Sequence, residues 1–245
     1  MKCRPIMMPL KKKSKVVYDK LSKPNILTDI SLLTSHESPI DQFHKIIANC
    51  KPDKIELGNE NLYDYAKNYF EKKRQTPPLL IVPSPKNPAK YPIISYKTSM
   101  SPMYQSKMER ISVEDTKTKL IEAAIQAPHA YKKLYVSCLT ECPLTGPVDI
   151  DYTLHEICVY HHRYQLDEIT LCDTCGKLTF ENFQYLMSCL SLFGVPKSRI
   201  GFQFKMTDDF YYIRRYARDN GWLKWDVVDR PMYLQGRHIS YEDII

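Results

Sequence analysis

From residue 26 onward, short apolar runs alternate with longer amphipathic segments, the pattern of a parallel sheet built from βα units. The apolar runs are ILTDISLL (26–33), KIEL (54–57), LLIVP (79–83), PIISY (92–96), KLYVSCL (133–139), EITLCD (168–173), IGFQF (200–204) and WDVVD (225–229). Between them the spacing predicts helices over 40–49, 62–73, 113–127, 152–164, 180–193 and 208–220. Eight strands are the number that closes an α/β barrel of the (β/α)8 TIM type. The PSPKNPAKY segment between the third and fourth runs is too short and proline-rich for a crossover helix. Past residue 229 the chain has room for one short helix at most. The expectation is therefore a barrel over 25–245, minimal or incomplete at its C-terminal end, preceded by a basic arm over 1–24.

Composition narrows the function classes. With 43% hydrophobic and 26% charged residues the chain can fill a sizeable core. It has 7 glycines against 17 prolines and neither GxGxxG nor GxxxxGK[ST], which excludes the usual Gly-rich phosphate loops. No apolar run is long enough to span a membrane. The net charge of +7 invites a nucleic-acid reading until its location is traced. Residues 1–24 carry seven lysines, Arg4 and a single acid, Asp19, so the excess lies in the arm. The remaining body is charge-balanced, which disfavours nucleic-acid binding by the folded part. The arm lacks the apolar core of a secretory signal, and Pro5 and Pro9 interrupt any amphipathic helix, so a solvated arm is favoured over organelle targeting. Eight cysteines without such a signal imply free thiols in a reducing compartment and a cytoplasmic location.

Three stretches carry a more specific signal: LYVSCLTECPLTGPVD (134–149), DEITLCDTCGKLT (167–179), and IGFQFKMTDDFYYIRRYARDNG (200–221) leading into WDVVD. A strand, Cys-x-x-x-Cys-Pro, a helix and then E-I-x-L-x-D-T-x-G resembles 3-hydroxy-3-methylglutaryl-CoA lyase and its relatives, most strongly over 134–229. Upstream the likeness rests on strand order and on Glu56 in KIELG. The resemblance implies a TIM-barrel metallolyase that cleaves or forms C–C bonds beside a thioester or keto acid. In that family a divalent cation such as Mg or Mn polarises the substrate oxygens and takes up the charge of the developing enolate. Its ligands would be an Asp in an Arg-Asp-Gly motif after strand one, a His-x-His pair after strand seven and an Asn after strand eight.

Carried onto this chain, those ligands are missing. DISLLTSHE (29–37) has no Arg-Asp-Gly, and Asp29 comes too early; the His-x-His position reads Gln203-Phe204-Lys205; DRPMYLQGRH (229–238) offers no Asn. The family's flexible cysteine loop has no counterpart either. What remains is Asp173 in the D-T-x-G turn, Glu56, and Cys138 with Cys142. A lysine in place of a metal-binding histidine removes a ligand and sets a positive charge where the cation would sit, a repulsion of several kcal/mol at short range. No cofactor is therefore expected.

The candidate site residues are Asp173, Lys205, Glu56 and Gln203. Lys205 reads either as an ammonium pairing with Asp173 or Asp29 to fill the old site, or as a lysine replacing the metal, as a clamp or Schiff-base former. Asp173 is either a retained catalytic carboxylate or a helix N-cap; Glu56 is either at the barrel mouth or in a structural ion pair. A zinc site from Cys138, Cys142, Cys172 and Cys175 is disfavoured, because alternation along the strand turns Cys172 and Asp173 to opposite faces. His161 and His162 lie on helix faces about 100° apart and cannot act jointly. Two functions follow: a catalytically impaired lyase-like barrel kept as a binding or structural protein, or an active C–C lyase or aldolase with lysine assistance. The expected partners are a small acyl or keto-acid ligand and, over the short C-terminal edge, a second copy of the chain or the segment VVYDKL (16–21).

Overall fold

A computed structural model of the chain describes residues 26–30, 32, 38–50, 52–228 and 238–244. Eight parallel strands close into a barrel: β1 (Ile26–Asp29), β2 (Lys54–Glu56), β3 (Leu79–Pro83), β4 (Ile93–Ser99), β5 (Tyr131–Ser137), β6 (Glu168–Cys172), β7 (Ile200–Gln203) and β8 (Lys224–Val227). Each pairs with its sequence neighbours and β8 pairs with β1, so neither terminal strand is left with an open edge. Outside run the helices α1 (Pro39–Asn49), α2 (Asn61–Lys73), α3 (Val113–Gln126), α4 (Ile150–Arg163), α5 (Phe180–Leu192), α6 (Phe210–Asp219) and the short α7 (Tyr241–Ile244). As the prolines predict, the β3–β4 link holds a single turn of 3-10 helix, Pro88–Lys90.

Two boundaries differ from the sequence pattern. Strand β1 stops at Asp29, where an extended run to residue 33 was expected. Strand β4 continues through Lys97, Thr98 and Ser99, because pairing with Tyr135, Val136 and Ser137 of β5 holds polar residues in the ladder. The sequence also gave no hint of the Gln105–Glu109 π-helix or of the two-residue ribbon pairing Glu141–Cys142 with Gly146–Pro147. The basic arm over 1–24 and the segment VVYDKL (16–21) within it lie outside the described residues.

Local signals start the helices. At α3, Ser112 and Asp115 form a capping box: the Asp115 N–H donates to Ser112 Oγ (3.0 Å) and the Ser112 N–H to Asp115 Oδ2 (3.1 Å). Asp149 and Thr179 cap α4 and α5 with their side-chain oxygens. Helices and sheet enclose the main core, where Phe183, Phe202, Phe204 and Trp225 pack with centroids 5.0–6.1 Å apart. Each such side chain contributes about 1.5–3 kcal/mol on burial.

The barrel interior is different. In a parallel ladder, paired residues face the same side, so the register places Lys54, Ser95, Lys133, Glu168, Gly201 and Asp226 inside. A small apolar plug of Ile81, Ile93 and Tyr131 closes the N-terminal end. Above it, Glu168 accepts from Lys54 (2.5 Å), Tyr131 (2.8 Å) and Lys224 (3.1 Å) and pairs with Lys133 (3.1 Å). Lys133 also donates to both oxygens of Asp226 at 2.8 and 2.7 Å. This ionic core supports the floor of the site.

Candidate functional site

Alternation carries the inner face of each strand up to the C-terminal mouth, where barrel sites form. There a cavity of about 310 Å³ is lined by Lys97 of β4, Tyr135 and Ser137 of β5, Cys172 and Asp173 at the end of β6, and Gln203 and Lys205 at the end of β7. Tyr104 and Glu109, from the segment after β4, close one side, and His238 reaches in from the chain beyond β8.

Three of the four candidate residues meet there. Gln203 accepts a hydrogen bond from the Cys172 thiol at 2.9 Å through Oε1, which leaves its amide N–H groups for the cavity. Lys205 lies against Gly176, whose left-handed backbone (φ 66°) gives its stem room: a Cβ there would meet Lys205 Cβ at 3.4 Å. Asp173 borders the same space but directs Oδ1 and Oδ2 to the backbone N–H groups of Lys177 (3.0 Å) and Leu178 (3.2 Å). Burial pushes its carboxyl up, against those N–H groups and the nearby Lys205 charge. Its geometry is that of a turn cap.

Glu56 is not part of the lining. It sits one layer below, fully buried, accepting from Ser95 Oγ (2.8 Å) and from the Tyr135 hydroxyl (3.1 Å). Burial pushes its carboxyl up to about 7, although Ser95, the Lys133 and Lys97 charges and Tyr135 all favour the ionised form. Tyr135, held well above the usual phenol range by burial and by the Asp226 and Glu56 charges, links Glu56 to the cavity.

Neither anticipated partner pairs with Lys205: no Asp173 or Asp29 oxygen lies within 4.0 Å of its ammonium. Asp29 faces away from the interior, in register with Val227 and Ile55, and accepts from Tyr241 OH at 2.8 Å. Phe204 and Met206, side chains that could have plugged the mouth, pack into the outer core. The cysteines divide as well. Cys138 has φ 62°, donates its N–H to Thr174 Oγ1 (2.9 Å), and is pushed up to about 11 by burial. For Cys142 burial acts upward, yet Ser101, Thr145 and the N–H groups of Leu144 and Thr145 bring the thiol down to about 7.

The donor set does not suit a divalent cation. At β7 the cavity has an amide already bonded to a thiol, then an ammonium; at β6 a carboxylate occupied by backbone. No group of three or more His, Cys, Asp or Glu among the described residues could hold a metal ion.

Sequence reasoning missed Lys97, Tyr104, Tyr135 and His238. Lys97 and Tyr135 were within reach, since alternation from Ser95 and from Lys133 turns both inward. His238 was not, because its place rests on contacts that no strand pattern announces: Ile239 N–H donates to Phe204 O (3.3 Å), and Lys205 and His238 form a backbone bridge.

No family model and no curated protein matches the chain. Among solved structures, the hydroxymethylglutaryl-CoA lyase of Pseudomonas aeruginosa aligns with a TM-score of 0.72 and 19% identity over 92% of this chain and 85% of that one. The chain has the fold of hydroxymethylglutaryl-CoA lyases. The lyase of Brucella melitensis aligns at TM-score 0.71 and 16% identity, over 91% of this chain and 89% of that one. The Acinetobacter baumannii lyase, solved with coenzyme A and 3-methylmalate, aligns at 0.71 and 15%, over 90% and 82%. No described helix is long and apolar enough to cross a membrane.

Proposed function

We propose that this hydroxymethylglutaryl-CoA-lyase-like barrel binds a small acyl or keto acid at its mouth without a divalent cation, and that metal-dependent C–C cleavage is impaired in it. One observation carries the reading: Lys205 and Gln203 line the cavity at the end of β7, where the family resemblance calls for two metal-binding histidines. An ammonium there binds a carboxylate directly and repels Mg²⁺ or Mn²⁺. The lyase-like fold, with an acyl carrier and a hydroxy acid bound in one neighbour, supports an organic-acid ligand. The deciding experiment is thermal unfolding with Mg²⁺, Mn²⁺ and Zn²⁺, for the parent and for Lys205→His. Stabilisation only in the substituted chain supports the reading; clear stabilisation of the parent by Mg²⁺ or Mn²⁺ overturns it.

A second reading, an active C–C lyase or aldolase with lysine assistance, is favoured by the Tyr135–Glu56 pair. A carboxyl titrating near 7 behind a cavity hydroxyl can take up or return the proton that a retro-aldol step moves, while Lys205 and Lys97 would stabilise enolate charge. Turnover of a 3-hydroxy acid thioester or a hydroxy-keto acid in chelator, abolished by Tyr135→Phe, would put this reading first.

A further inference from the structure

Five lysines point into the barrel or its mouth, and they fall into two groups. Lys54, Lys133 and Lys224 pair in the interior with Glu168 and Asp226, at 2.5–3.1 Å. Lys97 and Lys205 line the cavity, and among the described residues neither ammonium has a carboxylate oxygen within 4.0 Å. The carboxylates nearby are committed elsewhere: Asp173 to the backbone of Lys177 and Leu178, Glu56 to Ser95 and Tyr135. Glu109 lines the cavity from the segment after β4 and pairs with neither lysine.

The two cations come from different walls. Strands β5 and β6 lie between β4 and β7, so the two lysines enter the cavity from strands three positions apart around the barrel. Two ammonium groups without a carboxylate partner, entering from different walls, suit a ligand that carries two anionic groups better than one that carries a single charge. The cavity, about 310 Å³, is at the small end of ligand pockets.

His238 completes one end. Its backbone bridges to Lys205, and its Nδ1 is buried without a hydrogen-bond partner. With Nδ1 buried and unpartnered, a neutral imidazole protonated on Nε2 avoids burying an N–H without an acceptor. Burial and the adjacent Lys205 charge push its titration down, in agreement. The Lys205 end thus offers an ammonium, the Gln203 amide and an imidazole N–H, three donors suited to one carboxylate.

We infer that the cavity binds a short-chain dicarboxylate, with one carboxylate on Lys205, Gln203 and His238 and the other on Lys97. The inference rests on the proposed reading that the mouth binds an organic acid. It goes further in requiring two separated negative charges and in giving Lys97 and His238 roles.

Calorimetric titration of the full chain with succinate, glutarate, butyrate and inorganic phosphate tests it. A dicarboxylate should bind about tenfold or more tighter than butyrate, the worth of one charge-assisted hydrogen bond. Lys97→Met should collapse that ratio and Lys97→Arg should keep most of it, while His238→Phe should weaken every carboxylate; a thermal melt of each variant confirms folding. Equal affinity for succinate and butyrate, a ratio unmoved by Lys97→Met, or preference for phosphate would overturn the inference. If butyrate binds in a Lys205-dependent way without a dicarboxylate preference, the proposed reading survives alone. If no carboxylate binds the folded parent, both fail.

Discussion

Glu56 and Gly176 show how single residues shape the mouth without lining its centre. Native Glu56 keeps its proton up to about 7, whereas the unfolded chain releases it near 4.5. Between those values the native state binds more protons, so this group's contribution to stability is present below 4.5 and is lost as pH rises through 7. At 1.36 kcal/mol per unit the loss is about 3 kcal/mol. Glu56→Gln has nothing to titrate, so its stability relative to the parent should improve by a figure of that order between pH 4.5 and 7. Urea unfolding at pH 4.5 and 7.5 would measure it, and a constant difference would refute the buried-acid account. Gly176 acts through space: Gly176→Ala strains a left-handed turn and crowds the Lys205 stem. It should cost about 1 kcal/mol or more and weaken carboxylate binding beyond what a change of similar stability cost on the outer surface would do. Affinity equal to the parent's would show that Lys205 is not held by this turn.

Strand β7 shows which parts of the molecule could be read from the sequence. IGFQF announces a buried strand, and period-two alternation then sends Phe202 outward to the aromatic core and Gly201 and Gln203 inward. All eight strands were legible in this way, and so was the meeting of Gln203, Lys205 and Asp173, because it follows from strand order and direction. Glu56 was legible as inward-facing but not as lying one layer too deep, since depth depends on the stagger between strands. The ionic core escaped notice because Lys132-Lys133 reads locally as a polar strand end, and the partners of Lys133 are 35 and 93 positions away. Even Gly201 has its reason there: a Cβ would stand 3.0 Å from Thr170 Oγ1 and 3.4 Å from Glu168 Oε1. Gly201→Ala should therefore destabilise the barrel by about 1–3 kcal/mol, read as a shift in denaturant midpoint. A neutral outcome would mean that the network yields easily.

At the scale of the whole molecule, the barrel is closed around a charge balance that is not even. Three buried lysines face two carboxylates that pair with them, Glu168 and Asp226, while Glu56 holds its proton up to about neutrality; burial and the Glu168 charge push the Asp226 carboxyl up, against Lys133. Burial acts against the Glu168 charge, yet Lys133, Lys224 and Lys54 hold its carboxyl well below the usual range. Lys133, buried as deeply, is raised because Asp226 and Glu168 outweigh its desolvation. Lys54 is the surplus cation: desolvation and the other two lysines bring it down to about 8 in spite of Glu168. The three lysines should therefore differ in what they contribute. Lys133→Met leaves Asp226 and part of Glu168 buried without a counter-charge, a defect that costs about 3–5 kcal/mol. Lys54→Met leaves two cations for two anions and adds an apolar side chain above the Ile81–Ile93 plug, so it should cost less than about 1 kcal/mol at pH 7, or stabilise. Its sign also varies with pH. Native Lys54 loses its proton at about 8 and the unfolded chain near 10.5, so in the parent this group's penalty is full below 8 and fades as pH rises to 10.5. Lys54→Met should compare best with the parent at pH 7 and lose that advantage by pH 10. Equal costs for Lys54→Met and Lys133→Met would mean that the core acts as one undivided network, with no surplus charge to remove.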